Sequence, residues 1–579
     1  MTNKEEFKMK LFNVIFFGCF LTACVVVLAC TMMPNTMSSK DAERVTKDES
    51  SQAVIPQAPP MPATPSPVME SKSFAMPVKM KRSASATMSD NAYMPPPMQT
   101  SPGEFNTEAY DHIADNPFLE ARQNPLSTFS VDVDTASYAN LRRFLRDGRM
   151  PPKDAVRVEE MINYFTYDYP TPEGDAPFSV HTEVSTCPWQ PKHRLLRIGL
   201  KGKEITREKR ASSNLVFLLD VSGSMNAPSK LPLLKRAMKL LVRELGEKDR
   251  VAIVVYAGAS GIVLSPTSCG KENEGAILKA LEQLRAGGGT HGSQGIQLAY
   301  QVAKEHFIKD GINRVILATD GDFNVGVTSQ GELIRLIQDK AKSGIFLTVL
   351  GFGSGNLKDS TMEKLADKGN GNYGYIDTIT EARKMLVEEM GATLITIAKD
   401  VKIQVEFNPA EVSAYRLIGY ENRRLRAEDF NDDKKDAGEI GSGHTVTALY
   451  ELVPVGREIE TPRVDPLKYQ HTPKPTDTAH SGELLTVRLR YKAPDGDSSK
   501  LLSFPVRDDD MVLENASPDF KFASAVAAFG MLLRDSEHKG NAGYENVIQL
   551  ALSGRGSDEY GYRAECINLM RNAKELSKP

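Results

Sequence analysis

The stretch from Leu215 to Lys230, LVFLLDVSGSMNAPSK, joins an unbroken apolar run to a polar turn. Five apolar residues in a row are typical of a strand that is buried on both faces of a parallel sheet. The run ends at Asp220, and Ser222 and Ser224 follow at alternate positions. Because ligands of open parallel sheets bind outside the carboxyl ends of the strands, these three oxygen-bearing side chains indicate a binding site.

Apolar strands and amphipathic helices alternate from Leu215 to about Asp400. The first helical segment, KLPLLKRAMKLLVREL, has Pro232 near its first turn and a stripe of apolar residues on one face. This alternation predicts an α/β fold, a doubly wound and mostly parallel sheet with helices on both faces. The four strand segments of the pattern are LVFLLD, VAIVVYA, RVILATD and FLTVLGFG.

Two more segments place oxygen ligands at equivalent positions. In RAGGGTHGSQGI, Thr290 follows a glycine run and precedes a helix, and in ILATDGDFNVG, Asp320 ends a strand. Hydroxyls with only two carboxylates suit Mg²⁺, or Mn²⁺ or Ca²⁺, and leave part of the charge of the cation unneutralised. A Glu or Asp of a partner protein could complete such a shell. The predicted metal ligands are Asp220, Ser222, Ser224, Thr290 and Asp320.

The motifs DVSGSM, GGT and TDG, in this order, resemble the metal-ion-dependent adhesion site of von Willebrand factor type A domains. The resemblance covers about residues 213–397. It implies that the five residues are metal ligands, some of them through water, and that the protein binds a partner rather than catalysing a reaction. The flanking segments, including SVDVDTASYANLRRFL and VEEMINYF, resemble a bacterial family of exported type A proteins from about residue 105 to the end.

The first thirty residues have the order of an export signal, in which three lysines precede an apolar run, residues 11–30. The endings LTAC at Cys24 and VLAC at Cys30 both resemble the lipobox of bacterial lipoproteins. We favour acylation at Cys30, because the chain turns polar only after it. An uncleaved transmembrane helix over residues 11–28 is the alternative. Either anchor predicts a membrane-attached protein of the bacterial cell envelope, in the periplasm or on the cell surface.

Composition divides the chain into six parts. We expect an export signal at 1–30, a disordered Pro- and Met-rich tether at 31–105, an α+β region at 106–212 and the type A domain at 213–397. A β-rich, sandwich-like domain at 398–515 and a helical region at 516–579 follow. The strands FSVHTEV and HRLLRIGLKG precede residue 215 without a sheet of their own. We therefore predict that they pair with strands beyond residue 400, so that the α/β unit is an insertion in a β-sandwich.

Other candidate residues have structural explanations. Asp134 is predicted to cap a helix and Asp132 to end a strand, rather than to bind metal. Beyond residue 30 only Cys187, Cys269 and Cys566 remain, too few for a disulfide framework, although one pair could form. A formal net charge of -4 gives no basic field for nucleic acid.

Two other functions were weighed against adhesion. A hydrolase with Ser222 or Ser224 as nucleophile would need a base, and His291 is the nearest histidine in the sequence, but no G-x-S-x-G motif supports it. An assembly factor that works with a partner ATPase is the second alternative, since the chain itself has no P-loop. On the adhesion hypothesis, Asp220→Ala abolishes metal binding and leaves stability nearly unchanged, because Asp220 is expected in a loop environment.

Overall fold

The structure is a computed structural model of the chain. It describes residue 108 and residues 110–578, apart from 132–133, 207, 290–291, 322–329, 355–356, 436, 458–474 and 495. The export signal, both lipobox cysteines and the tether therefore lie outside the described residues. Within those described residues, no helix combines the length and apolar character needed to cross a membrane.

The strands are numbered in chain order. They are Leu119–Glu120 (β1), Leu126–Ser130 (β2), Phe178–Thr186 (β3), Arg194–Gly202 (β4), Ser213–Asp220 (β5), Arg250–Tyr256 (β6), Ser260–Ser268 (β7), Ile312–Thr319 (β8), Phe346–Phe352 (β9), Tyr373–Ile376 (β10), Thr396–Phe407 (β11), Val412–Ile418 (β12), Arg424–Leu425 (β13), Gly438–Gly441 (β14), Thr445–Pro454 (β15), Glu483–Lys492 (β16) and Lys500–Arg507 (β17).

The α-helices are numbered in the same way. They are Ala136–Arg146 (α1), Val158–Asn163 (α2), Leu231–Glu244 (α3), Lys271–Gln283 (α4), Gly292–Glu305 (α5), Gln330–Lys342 (α6), Asp359–Lys368 (α7), Ile379–Arg383 (α8), Met390–Leu394 (α9), Pro518–Arg534 (α10), Tyr544–Ser553 (α11) and Tyr562–Leu576 (α12). A π-helical turn, Lys384–Glu388, joins α8 to α9.

The middle of the chain forms a sheet with the strand order β10-β9-β8-β5-β6-β7. All neighbours in it are parallel except the edge strand β7, which is antiparallel to β6. Every residue of the central strand β5 is buried. Helices α3 and α4 pack on one face and α5, α6 and α7 on the other. This arrangement confirms the predicted doubly wound α/β fold.

The strands on either side of the α/β unit form two further sheets, with the orders β1-β12-β15-β4-β3 and β13-β2-β11-β16-β17. Apolar residues from both sheets share one core, as in a β-sandwich. The predicted pairing across the α/β unit is confirmed for β4, which pairs with β15, and β2 pairs with β11 in the same way. It is wrong for β3, which lies at the edge of its sheet and pairs with β4. The chain thus leaves the sandwich after β4 and re-enters it at β11. The short strand β12, VSAYRLI, was not recognised in the sequence.

Helices α10, α11 and α12 pack together with α1 and α2 around a second apolar core, which includes residues of β4, β12 and β15. Cys566 of α12 is fully buried in this core. Cys187, Cys269 and Cys566 are all buried free thiols. The structure therefore joins no pair of these three cysteines by a disulfide.

A buried arginine links the helical layer to the α/β unit. Arg142 of α1 is almost inaccessible to solvent, and its guanidinium donates to Asp377 at 2.9 Å and to Glu381 at 2.7 Å. A third bond of 3.1 Å reaches Glu565 of α12. Buried ion pairs with this many hydrogen bonds hold their partners in one arrangement. These contacts fix the C-terminal part of the α/β unit, after β10, to the helical layer.

The prediction for Asp134 is wrong. The N-cap position of α1 is Thr135, whose side chain makes no capping bond. The Asp134 carboxylate instead accepts a hydrogen bond from the Tyr373 main-chain N–H at 2.8 Å and lies 3.4 Å from the Arg423 guanidinium. It therefore joins the start of α1 to strand β10, a tertiary contact that local sequence cannot predict. Asp132 lies outside the described residues.

Candidate metal-binding site

Asp220 is the last residue of β5, at the carboxyl edge of the six-stranded sheet, and its side chain is fully buried. The Ser222 main-chain N–H donates to Oδ1 at 2.8 Å. The hydroxyls of Tyr256 and Thr319 each donate to Oδ2 at 3.2 Å. Because Tyr256 ends β6 and Thr319 ends β8, both neighbouring strands orient this carboxylate. The expectation that loops alone surround Asp220 is therefore wrong.

Burial raises the pKa of Asp220 to about 6, although hydrogen bonds from Ser222 oppose the shift. The negative charge of Asp320 raises the pKa of Asp220 further. The edge of the sheet therefore contains two neighbouring carboxylates whose repulsion a bound cation would relieve.

The two serines lie in the turn that follows β5. Ser222 precedes a 3₁₀ turn, Gly223–Asn226, which contains Ser224. Their Oγ atoms are 3.0 Å apart, with Ser222 buried and Ser224 exposed. The buried side chain of Met225 anchors the turn in the core below. One hydroxyl is thus beside Asp220 and the other faces solvent.

The glycine run before Thr290 is pinned against this turn. The Gly287 N–H donates to the Val221 carbonyl at 2.8 Å, and the Gly223 N–H donates to the Gly288 carbonyl at 3.0 Å. Gly288 has a φ of +83°, and a Cβ there would lie 3.2 Å from the main-chain nitrogen of Gly258. Glycine is the residue suited to such a backbone at such a close approach. Thr290 and His291 follow within three residues but lie outside the described residues.

Asp320 follows β8 and is buried beside the same edge. Its Oδ2 accepts a hydrogen bond from the Lys230 ammonium at 2.9 Å. The stem of Lys230 passes over Gly353, where φ is +77° and a Cβ would lie 2.4 Å from the Lys230 Cγ. The contribution of Lys230 is not predictable from the sequence, because nothing in the local pattern indicates a contact between residues 230 and 320.

The described ligands fit a hard divalent cation. Asp220, Ser222, Ser224 and Asp320 are oxygen donors that follow the two adjacent strands β5 and β8, and oxygen donors are what Mg²⁺, Mn²⁺ and Ca²⁺ prefer. Across the described residues there is no group of three or more His, Cys, Asp or Glu side chains that could hold a metal. The candidate set differs from such a group because two of its four described members are hydroxyls. In the described ranges neither serine is hydrogen bonded to a histidine.

Family models match three parts of the chain. The model for von Willebrand factor matches residues 104–197, the model for the von Willebrand factor type A domain matches 215–322, and the model for the C-terminal part of uncharacterized protein YfbK matches 392–576. The second match begins within β5 and includes Asp220 and Asp320. The α/β unit is therefore a von Willebrand factor type A domain, a class of module that indicates protein–protein interaction or adhesion.

Among curated proteins, the chain is 45% identical over 474 residues to uncharacterized protein YfbK of Escherichia coli K12, and the match covers 81% of each chain. The chain belongs to this family of bacterial type A domain proteins. It is also 27% identical over 227 residues to the magnesium-chelatase 67 kDa subunit of Chlorobaculum tepidum, covering 34% of this chain and 36% of that one. A solved von Willebrand factor type A structure from Catenulispora acidiphila matches 78% of this chain and 90% of its own, at 16% identity and a TM-score of 0.35.

Proposed function

We propose that this protein is a membrane-tethered binding protein of the cell envelope, which uses a metal-ion-dependent adhesion site to bind a partner protein through a carboxylate. The metal is Mg²⁺, with Mn²⁺ or Ca²⁺ as alternatives, and the partner supplies a Glu or Asp side chain. The proposed metal ligands are Asp220, Ser222, Ser224, Thr290 and Asp320. On this proposal the protein is not an enzyme.

The observation that supports the proposal most is the pair of carboxylates, Asp220 and Asp320, at the carboxyl ends of two adjacent parallel strands, with a serine hydroxyl beside them. Buried carboxylates destabilise a fold unless they are paired or bind a cation. Asp320 has the Lys230 ammonium, whereas Asp220 accepts only uncharged donors in the described contacts. A divalent cation at this position would provide the Asp220 carboxylate with a positively charged partner.

Bound Mg²⁺ would supply a positive charge with an open coordination position, to which an acidic side chain of the partner is drawn. The residues of this chain would hold the cation and leave Ser224 at the solvent-facing side of the turn. The buried network of Tyr256 and Thr319 would keep the Asp220 carboxylate oriented towards the edge of the sheet. The site is then rigid before the partner arrives, which favours affinity.

The last part of the proposal concerns the attachment of the protein to the membrane. The export signal, acylation at Cys30 and the Pro- and Met-rich residues 31–105 would hold the type A domain away from the membrane surface. Mass spectrometry of the exported protein tests this part. A lipid mass on an N-terminal Cys30 is expected, and a chain that begins at an unmodified Met1 or Cys24 would contradict it.

Calorimetric titration of Mg²⁺ into the purified protein tests the site. We expect Asp220→Ala to abolish Mg²⁺ binding, because it removes one of two carboxylates, and Thr290→Ala to weaken it less, because it removes one neutral oxygen. Asp339→Ala, on an exposed part of α6, is the matched control and should bind as the wild type does. Wild-type affinity in Asp220→Ala would show that these residues form an ordinary turn.

A second candidate function is an assembly factor that works with a partner ATPase. Part of the chain is similar to a protein named as a magnesium-chelatase subunit, which by that name is one component of a larger protein. Pull-down from membrane extracts with Mg²⁺ and with a chelator separates the two. Mg²⁺-dependent capture of a nucleotide-hydrolysing protein would favour the assembly role, and capture of an exported or surface protein would favour adhesion.

A further inference from the structure

A pocket of about 290 Å³ lies directly beside the candidate metal site. One wall is formed by Met225 and Asn226, which belong to the same 3₁₀ turn as Ser224. The lining also includes the segment from Leu284 to Ala286, which leads into the glycine run before Thr290. Both segments therefore continue into loops that carry predicted metal ligands. The hydrogen bond from the Gly223 N–H to the Gly288 carbonyl joins these two loops.

The lining of this pocket is strongly basic. Lys235, Arg236 and Lys239 come from α3, Arg285 comes from the segment after α4, and Glu282 is the single acidic residue of the lining. Four cations and one carboxylate give the pocket three net positive charges, in a protein whose formal net charge is -4. Such a local excess attracts anions, and it does so selectively within an otherwise acidic chain.

Most of these charges are not neutralised by acidic groups. Lys235 Nζ donates to the main-chain carbonyls of Glu282 at 2.6 Å and Leu284 at 3.3 Å, and Arg285 donates to the same two carbonyls. Only Lys239 is in an ion pair within the described residues, with Glu282 at 2.9 Å. These carbonyl contacts position the cations and leave their charge available to a ligand.

Burial and neighbouring charges both act on the pKa of Lys235. Burial lowers the pKa of Lys235, and the positive charge of Arg285 lowers it further. An anion in the pocket would relieve this repulsion. Among the described residues, the lining supplies one carboxylate, Glu282, which pairs with Lys239.

We propose that the pocket formed by Lys235, Arg236, Lys239 and Arg285 binds a second carboxylate of the partner protein. The partner segment is then an acidic peptide, with one Glu or Asp at the metal and at least one more that reaches the basic pocket. This inference rests on the proposed function and specifies the chemistry of the partner. A single carboxylate at a metal distinguishes few partners, whereas two at a fixed separation select a short acidic motif.

Binding of a hexaglutamate peptide to the purified full-length protein tests the inference, with hexaglutamine as the uncharged control peptide. The test variant is Arg236→Glu/Lys239→Glu, since neither side chain contacts the main chain in the described residues. We expect it to weaken Mg²⁺-dependent binding by at least about tenfold, because two attractive charges become repulsive. Raising salt from about 0.05 M to about 0.5 M should weaken binding to the wild type as well.

Arg243→Glu is the control, because it makes one such charge reversal, half the charge change of the double variant, on the exposed face of the same helix α3, outside the pocket. It should bind hexaglutamate within about twofold of the wild type. Unchanged Mg²⁺-dependent binding in the double variant, or equal losses in the double variant and in Arg243→Glu, would overturn the inference. The failure of the wild type to bind hexaglutamate at all would do the same.

If the metal site does not bind the partner, the same experiment gives a result that differs from failure of the basic pocket. If peptide binding is the same with Mg²⁺ and with a chelator but is lost in the double variant, the pocket binds acidic segments and the metal site does not. Vesicles that contain phosphatidylglycerol form a further arm of the experiment. If the wild type binds these vesicles but not the peptide, and the double variant binds neither, the ligand of the pocket is an anionic lipid surface. That result would overturn the inference of an acidic partner protein.

Discussion

Asp220→Asn is the sharpest test of the metal site, because it removes the charge and keeps the shape. Asparagine has nearly the volume of aspartate, and its Oδ1 can still accept the hydrogen bond from the Ser222 N–H. Its amide N–H groups can donate to the hydroxyls of Tyr256 and Thr319, which can reverse their direction. We therefore expect the free energy of unfolding without metal to stay within about 1 kcal/mol of the wild-type value.

The response to Mg²⁺ should separate the two proteins. A ligand that binds only the folded state at about 100 times its Kd stabilises that state by about 2.7 kcal/mol. For a domain of the size of the α/β unit, each 1 kcal/mol of added stability raises Tm by roughly 2–4 °C. The wild-type Tm should therefore rise by about 5–10 °C when Mg²⁺ binds. Asp220→Asn should show almost no rise, because it lacks one of the two carboxylates that would hold the cation.

Asp220→Ala adds a structural cost that Asp220→Asn avoids. Alanine leaves the buried hydroxyls of Tyr256 and Thr319 without their acceptor, at roughly 1 kcal/mol each, so the alanine variant should be about 2 kcal/mol less stable in a chelator. This replaces the expectation from the sequence that stability barely changes. Thermal unfolding followed by circular dichroism, with Mg²⁺ and with a chelator, measures all three proteins. A Mg²⁺-dependent rise in Tm of Asp220→Asn equal to that of the wild type would refute the reasoning.

Two other predictions follow from single contacts. Lys230→Met removes the ammonium that pairs with Asp320 at 2.9 Å, so Mg²⁺ affinity should rise by about tenfold in calorimetry; unchanged or weaker affinity would mean that Lys230 orients Asp320 for the metal. Burial raises the pKa of Glu451, but hydrogen bonds from His193 and Trp189 and the charge of Arg416 outweigh this effect and lower the pKa below its usual value. The stability that ionised Glu451 contributes is therefore present above about pH 4.5 and is lost as the pH falls through the lower pKa of the folded state. Urea unfolding of Glu451→Gln should show about 3 kcal/mol less stability at neutral pH than the wild type. The free energy of unfolding of this variant should also decrease less steeply than that of the wild type as the pH is lowered.

Periodicity and motif spacing predicted four of the six strands of the α/β unit, but not the edge strands β7 and β10. Residues 215–219 form a buried run, and the structure places them in the middle strand of a sheet with helices on both faces. A strand covered on both faces must be apolar throughout, which makes it conspicuous in a sequence. The turn residues after it were equally visible, because Asp220, Ser222 and Ser224 interrupt the apolar run at a strand end.

The β-sandwich was only partly predictable. The absence of a local sheet for β3 and β4 indicated that they pair with distant strands, and β4 does pair with β15. The partner and the register could not be predicted, because pairing depends on side-chain packing between segments about 250 residues apart. Strand β12 was missed for the same reason, since its residues are buried by contacts that its own sequence does not encode.

The sequence by itself determined the fold class and the identity of most candidate ligands, because strand burial and ligand chemistry are both properties of short segments. Only the tertiary structure decided the environment of those ligands. It placed Tyr256 and Thr319 on Asp220, paired Lys230 with Asp320 and assembled the basic pocket from α3 and the segment after α4. These are contacts between residues tens of positions apart, and they arise because parallel strands bring their carboxyl ends to one edge of the sheet.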